Sequence, residues 1–331
     1  MKNKKLAIIG ATGLVGQTVL KVLEEKNIPN FEYELFASKK SQGKKVRFMK
    51  REYEIKELTK ETFNKKFDYA IFVAGAKVSK EYVPIAVQNG TIVIDNSSYF
   101  RMNKDVPLVV PEVNAKDIKK HKGIIANPNC STIQAVVALK PLNDEYKIKR
   151  IVYSTYQAVS GAGSKGVKDL ENTLKGLKNQ KFPYVIANNC IPQIDSFTED
   201  GYTKEELKMI NETRKILDNP KMRITATTVR VPVLNSHSES INVEFEKEID
   251  INKIKELLSN SPSIIVQDDI KNGIYPLAIN STGTDEVYIG RIRRDYSVKS
   301  GINMWVVADN IRKGAASNAI QIMQKIIEKE V

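Results

Sequence analysis

The sequence predicts an α/β protein: a doubly wound parallel sheet, a second α+β domain with a mostly antiparallel sheet, and a C-terminal helix returning to the first domain. Three observations carry that prediction. Short apolar runs alternate with helical patterns through the first third of the chain. A glycine-rich loop follows the first of those runs, and from about residue 147 the runs lengthen and alternate in polarity. The 331 residues allow two domains with sizeable cores, expected at 1–130 plus 309–331 and at 131–308.

Taken in order, 5–10, 32–37, 69–74, 91–95 and 123–126 read as strands, with helices over 13–26 and 79–89 between them. Strands separated by helices build a parallel sheet covered on both faces. Further on, 150–159, 222–233, 240–247, 263–267, 286–293 and 302–308 read as strands, with helices over 165–177, 204–217 and 251–259. Ala315, Ala316, Ala319, Ile320, Met323, Ile326 and Ile327 then recur on one helical face, and the first domain is the simplest place to bury it.

Composition narrows the class. Lys+Arg exceed Asp+Glu by 52 − 39 = 13. A surplus of this kind attracts nucleic acid when it is gathered into a patch. Here the lysines are spread along the chain and are not interleaved with aromatic residues, so the expected partners are anionic small molecules and not nucleic acid. No window approaches 18 uninterrupted apolar residues, which excludes a membrane-spanning helix. The basic start precedes only about four apolar residues before the glycine loop, too few for a secretory leader, and a cytoplasmic location is expected. Two cysteines (Cys130, Cys190) and two histidines (His121, His237) offer no metal-ligand spacing, so no metal site is expected.

Gly10-Ala11-Thr12-Gly13-Leu14-Val15-Gly16 joins the first strand to the first helix. Glycines let the backbone approach a pyrophosphate, and the helix N-terminus offers unpaired N–H groups and a positive dipole. The G-x-x-G-x-x-G spacing is a variant of the NAD fingerprint. A tight turn with close helix packing is the competing explanation, and the strand–loop–helix setting favours the dinucleotide. After the second strand, Ser38-Lys39-Lys40-Ser41 brings hydroxyls and ammonium groups but no acid. An acid there would hold a ribose 2′-hydroxyl, so this segment suits a 2′-phosphate, and NADP over NAD; an exposed basic loop is the alternative.

Asn127-Pro128-Asn129-Cys130-Ser131-Thr132 puts Cys130 in the first turn of a helix that follows a parallel strand. That edge of an open α/β sheet is where ligands bind, and a helix N-terminus favours the thiolate. A small buried cysteine is the structural alternative; the nucleotide loop favours a nucleophile. Cys190 lacks this setting and reads as a filler. A nucleophilic thiol with a nicotinamide points to hydride transfer through a thioester-linked carbonyl. The proton transfers then need a group titrating near neutrality. His121 lies in a lysine-rich turn and reads as solvated, whereas His237, with serines on both sides and Glu239 two residues on, is the better acid/base.

With these residues in view the chain resembles bacterial aspartate-β-semialdehyde dehydrogenases. The resemblance lies in the glycine loop, Asn127–Thr132, Tyr156-Gln157-Ala158-Val159-Ser160-Gly161-Ala162-Gly163, the segment from Arg230 to His237-Ser238-Glu239, and Asp309-Asn310-Ile311-Arg312-Lys313-Gly314-Ala315-Ala316. It implies NADPH-dependent reduction of L-4-aspartyl phosphate to aspartate semialdehyde with release of phosphate, a step serving lysine, methionine and threonine synthesis, and it implies a homodimer. By position, Cys130 would form the thioester, His237 would act as acid/base and Gln157 would orient the carbonyl. Arg230 would pair with the substrate carboxylate, Arg101 and Lys215 with its phosphate, and Glu212 with its ammonium. The cofactor would meet Gly10, Thr12, Gly13, Leu14, Val15, Ser38, Lys40, Ser41, Ser160, Gly161 and Asn310. Lys40 stands where many relatives carry Arg, which keeps the charge but loses the planar fork. Two neighbouring activities compete: N-acetyl-γ-glutamyl-phosphate reduction, whose acylated substrate carries no ammonium for Glu212, and a non-catalytic NADP sensor, which would have no use for Cys130, Gln157, Arg230 and His237 together.

Overall fold

Strand β1 (Lys4–Ile9) carries Leu6, Ala7, Ile8 and Ile9 in succession, all fully buried, as a central strand covered on both faces requires. The computed structural model describes residues 3–330 and divides into two units, Met1–Pro128 with Ala315–Val331, and Asn129–Gly314.

In the first unit β1 pairs in parallel with β2 (Phe31–Ala37). A hairpin of β3 (Lys45–Phe48) and β4 (Arg51–Glu54) follows, then the short β5 (Lys56–Glu57). Strands β6 (Tyr69–Phe72), β7 (Ile92–Asp95) and β8 (Ile124–Ala126) complete a parallel sheet ordered β5-β2-β1-β6-β7-β8. The order reverses at β1, so the loop that follows it opens at the switch point of the sheet. Helices α1 (Leu14–Lys26), α2 (Ala76–Gln88) and α3 (Pro111–Asn114) belong to this unit.

The C-terminal stripe is observed with one change. Residues 312–317 wind as a π-helix before the α-helix that ends the chain, and Ala316, Ala319, Ile320, Met323 and Ile326 join the cluster containing Leu6, Ile8, Leu35 and Ile71. The β3–β4 hairpin was not foreseen. Its turn residues, Met49 (φ 50°) and Lys50 (φ 59°), are left-handed without the Asn or Gly that normally announces such a turn.

The second unit begins at Asn129, so Cys130 belongs to it, whereas the sequence placed the boundary after Cys130. Helix α4 (Cys130–Tyr146) lies over a six-stranded mixed sheet of β9 (Ile148–Gln157), β10 (Arg223–Arg230), β11 (His237–Phe245), β12 (Ile264–Val266), β13 (Val287–Arg294) and β14 (Gly301–Ala308). The order is β10-β9-β11-β14-β13-β12, and three of its five pairings are antiparallel. Helices α5 (Ser164–Leu174), α6 (Lys204–Ile216), α7 (Ile251–Ser259) and α8 (Ala278–Ser281) complete the unit, and α9 (Asn318–Glu330) is the terminal helix of the first. Gln157 and Arg230 sit side by side where the parallel β9 and β10 end, and His237 starts β11 opposite Ala308, the last residue of β14. Four strand ends therefore meet at one edge. Among the described residues no helix is long and apolar enough to cross a membrane.

The loop after β1 depends on close backbone approach. A Cβ at Gly16 would collide with the Gly10 carbonyl oxygen and lie 2.8 Å from the Ala11 Cα. Gly16→Ala is expected to cost about 1–3 kcal/mol, read as a lower urea midpoint at unchanged m; an unaltered midpoint would show that the loop relaxes freely.

Candidate active site

Asn129 starts α4. Its backbone is extended (φ −60°, ψ 145°), and its Oδ1 accepts the N–H groups of Ser131 (3.0 Å) and Thr132 (3.3 Å), so Cys130 is the first residue of the helix. The thiol is half-buried. The helix dipole favours its ionised form. Gly314 packs against it, where a Cβ would lie 2.7 Å from the cysteine's own.

Arg230, His237 and Gln157 occupy the strand edge. Arg230 is buried, and its Nη1 donates to the Ala158 carbonyl at 2.6 Å. Burial lowers its pKa, while the nearby charges of Glu205 and Cys130 work the other way, so guanidinium and sulfur feel one another. His237 is completely buried and its Nδ1 accepts the Ala158 N–H at 3.0 Å. The neutral ring therefore carries its hydrogen on Nε2, which has no partner. Burial first, then Arg230, drives the His237 pKa down to about 3, so the ring does not titrate near neutrality as the sequence suggested. Gly161 admits both groups: a Cβ there would lie 3.0 Å from Arg230 Nη1 and 3.2 Å from His237 Nε2. Ser160 and Asn310 are also here, bonded to each other (3.1 Å), with the Asn310 Oδ1 taking the Ser236 N–H (2.9 Å).

Helix α6 supplies the acids. Its Thr203 capping box with Glu206 fixes its start. Glu212 Oε2 accepts the Asn129 N–H at 2.6 Å, an anchoring contact in addition to any substrate role, and Lys215 follows on the same face. Burial lowers the Lys215 pKa, opposed by Glu212. Glu205, which the sequence did not single out, takes the Nδ2 of Asn129 (2.8 Å) and the Nε2 of Gln157 (3.2 Å), while Gln157 Oε1 accepts the Thr155 hydroxyl (3.0 Å). Burial would raise the Glu205 pKa, yet Lys208 and these hydrogen bonds hold it below the ordinary value. Its pairing partners are remote in sequence and leave no local motif. Glu239 is the opposite case: fully buried, with neither oxygen hydrogen-bonded, its pKa is raised well above the ordinary value by burial and by Glu205. The proton is therefore held to higher pH than on an ordinary glutamate.

The remaining sites belong to the first unit. Gly13 starts α1 without a side-chain cap and with no acid in the first turn, and Gly16 seats the loop against Gly10 and Ala11, so the residues present fit a dinucleotide phosphate. Thr12 in that loop and Leu14 and Val15 in the first turn of α1 are part-exposed, and the Thr12 hydroxyl lies 3.5 Å from that of Ser41. Ser38 and Lys40 are exposed after β2. Arg101 donates to the main-chain oxygens of Asn127 (2.9 Å) and Asn96 (2.7 Å), which orient it. His121 Nδ1 accepts the Gly123 N–H, and Cys190 is a surface residue and not a core filler.

Residues 5–121 match the family described as semialdehyde dehydrogenase, NAD binding domain, and residues 139–313 its dimerisation domain. The aspartate-semialdehyde dehydrogenase of Aquifex aeolicus is 55% identical, over 98% of each chain. The chain belongs to the aspartate-semialdehyde dehydrogenase family. Among solved members of that family, Vibrio cholerae aspartate semialdehyde dehydrogenase II, complexed with ASA, has a TM-score of 0.94 at 43% identity over 99% of each chain. The Candida albicans aspartate semialdehyde dehydrogenase with NADP has a TM-score of 0.78 at 27% identity, again over 99% of both.

The raised pKa of Glu239 gives a pH test. Its native pKa is raised above the unfolded value, about 4.3, so between the two the native state holds a proton that the unfolded chain has released. Stability then falls as pH rises through that window, by up to about 1.4 kcal/mol per pH unit. The unfolding free energy of Glu239→Gln minus that of wild type is expected to grow from pH 5 upward in urea titrations; a pH-independent difference would show that the carboxyl finds a partner.

Proposed function

We propose that this chain reduces L-4-aspartyl phosphate to L-aspartate 4-semialdehyde through a thioester on Cys130, as a step of amino-acid biosynthesis. The observation that carries the proposal is Cys130 at the capped N-terminus of α4, in one unit with Gln157, Arg230 and His237. The Cys130 thiolate attacks the acyl carbon; a C–S bond forms, the C–O bond to phosphorus breaks and phosphate leaves. The residues of the glycine loop would hold a reduced nicotinamide dinucleotide, which when bound would supply the hydride needed to take the thioester to the aldehyde level. The C–S bond then breaks, and aldehyde and thiolate separate.

The chain's own groups serve these steps. The Nε2–H of His237 donates to the carbonyl oxygen as negative charge builds there. The second Nε2 hydrogen of Gln157 orients the same carbonyl. Arg230 keeps N–H donors beyond the one given to Ala158, enough for a bidentate grip on the substrate carboxylate. Once a carboxylate neutralises Arg230, one cause of the depressed His237 pKa is removed and the ring takes up a proton more readily. Lys215 and Arg101 are assigned to the phosphate, and Glu212 to the ammonium. Gly10, Thr12, Gly13, Leu14 and Val15 would cradle the pyrophosphate; Ser38, Lys40 and Ser41 would meet a 2′-phosphate and so select NADP; and Ser160, Gly161 and Asn310 are assigned to the cofactor as well.

We also assign it to the cytoplasm as a homodimer. The dimerisation-domain match over 139–313, the exposed apolar side chains Tyr156, Ile274, Tyr275 and Leu277, and two cysteines present as thiols support this.

Cys130→Ala is expected to abolish phosphate-dependent NADPH formation from aspartate semialdehyde, at least about a thousandfold on the scale of lost nucleophiles, while leaving NADP binding intact by fluorescence titration. Residual turnover above that level would exclude the thioester. Lys40→Ala is expected to raise KM for NADP roughly tenfold, the size of one lost charge-assisted contact, with little change for NAD; equal effects on both would remove the 2′-phosphate assignment.

A further inference from the structure

The face of α6 that carries Glu212 carries Glu205 two turns earlier, and no step above uses that carboxylate. We propose that Glu205 is the positioning residue of the active site, fixing at once the cap of the nucleophile's helix and the amide that orients the substrate carbonyl; this rests on the thioester chemistry just described.

A carboxylate only accepts hydrogen bonds. Both amides that reach Glu205 Oε1 must therefore turn their NH2 groups toward it, Asn129 Nδ2 at 2.8 Å and Gln157 Nε2 at 3.2 Å. Each orientation has a consequence at the other end of the amide. The Asn129 oxygen is left facing Ser131 and Thr132 N–H, the cap beneath Cys130. The Gln157 oxygen is left facing the Thr155 hydroxyl, with one Nε2 hydrogen remaining for a substrate. Reversing either amide would bring a carbonyl oxygen against the carboxylate.

The charge on Glu205 is itself maintained. Lys208 Nζ lies 3.1 Å from its Oε2 and 3.0 Å from Asp195 Oδ2, so a buried acid is kept ionised by a cation that shares a second anion. Within the same unit Glu205 also acts on Arg230 and His237 through space. The Glu212 carboxylate holds the main-chain N–H of Asn129, so one helix face grips the residue before the nucleophile by backbone and side chain together.

Steady-state kinetics of phosphate-dependent NADPH formation test this. Glu205→Met, similar in volume but without an acceptor, is expected to lower kcat at least tenfold with KM for aspartate semialdehyde within threefold. Glu205→Gln, which restores an acceptor oxygen, should recover at least threefold of the loss. In a Gln157→Ala background Glu205→Met should cost a smaller factor than in the wild type, since the part of its effect that runs through that amide is already gone and only the part through Asn129 remains. An unchanged kcat, or fully additive losses, overturns the proposal. Where Glu205→Met does not fold, Glu205→Asp takes its place, expected to lose at least threefold in kcat. Wild type inactive on aspartate semialdehyde would instead overturn the functional proposal. The crystal structure of the Glu205 variant then decides the positioning role alone: a turned Asn129 or Gln157 amide supports it, and both amides unmoved refutes it.

Discussion

Asn129 is held at both polar ends by helix α6, its N–H by Glu212 and its side-chain amide by Glu205, while its own oxygen closes the first turn of α4. The proposed thioester chemistry of the second unit depends on this clasp. A thiol is a weak nucleophile until something stabilises its anion, and the agents available here are helix N–H groups, their aligned dipoles and the Arg230 charge. Helix ends fray when their first turn is loose. Capping contributes on the order of 1 kcal/mol to a helix, and at this helix it also decides whether the field felt by the sulfur is fixed or fluctuating. The asparagine is thus a structural residue whose function is electrostatic.

The sheet of the second unit explains how distant residues share that field. Two parallel strands end at Gln157 and Arg230, the antiparallel β11 begins at His237, and β14 ends opposite it. Mixed pairing lets outgoing and incoming chain ends lie on one edge, which neither a purely parallel nor a simple meander arrangement would supply from these segments. The edge is crowded, and the glycines at 161 and 314 show how far the crowding goes. A single methyl group at either would intrude on the groups that carry the chemistry.

Features with a local signal were legible in the sequence. The glycine loop, the parallel strands and the cysteine opening a helix could each be seen because strand, loop and cap residues are consecutive. The extent of α7, 251–259, was legible for the same reason, with Asp250 as cap before an amphipathic run. What escaped was set by tertiary environment. The hairpin at 45–54 turns through Met49 and Lys50, residues with no turn preference to announce it. Glu205 meets Asn129 across 76 residues and Gln157 across 48, so no window contains the partnership. The protonation of His237 escaped as well, because burial and a neighbouring guanidinium are properties of the fold and not of the flanking serines.

The two buried glutamates of this unit show how the fold assigns charge. Glu205 and Glu239 have the same ordinary pKa and are both removed from water, yet their pKa values shift in opposite directions. Glu205 has a lysine and two amide donors, and stays ionised against its burial. Glu239 has no donor and faces the charge of Glu205, so its pKa moves up where that of Glu205 moves down. The order is not interchangeable. An ionised Glu239 would set a buried negative charge against that of Glu205 with no donor of its own to stabilise it. The raised pKa holds the proton on Glu239 to higher pH, so the charges that Arg230 feels are those of Glu205, already shared with Lys208, and of Cys130.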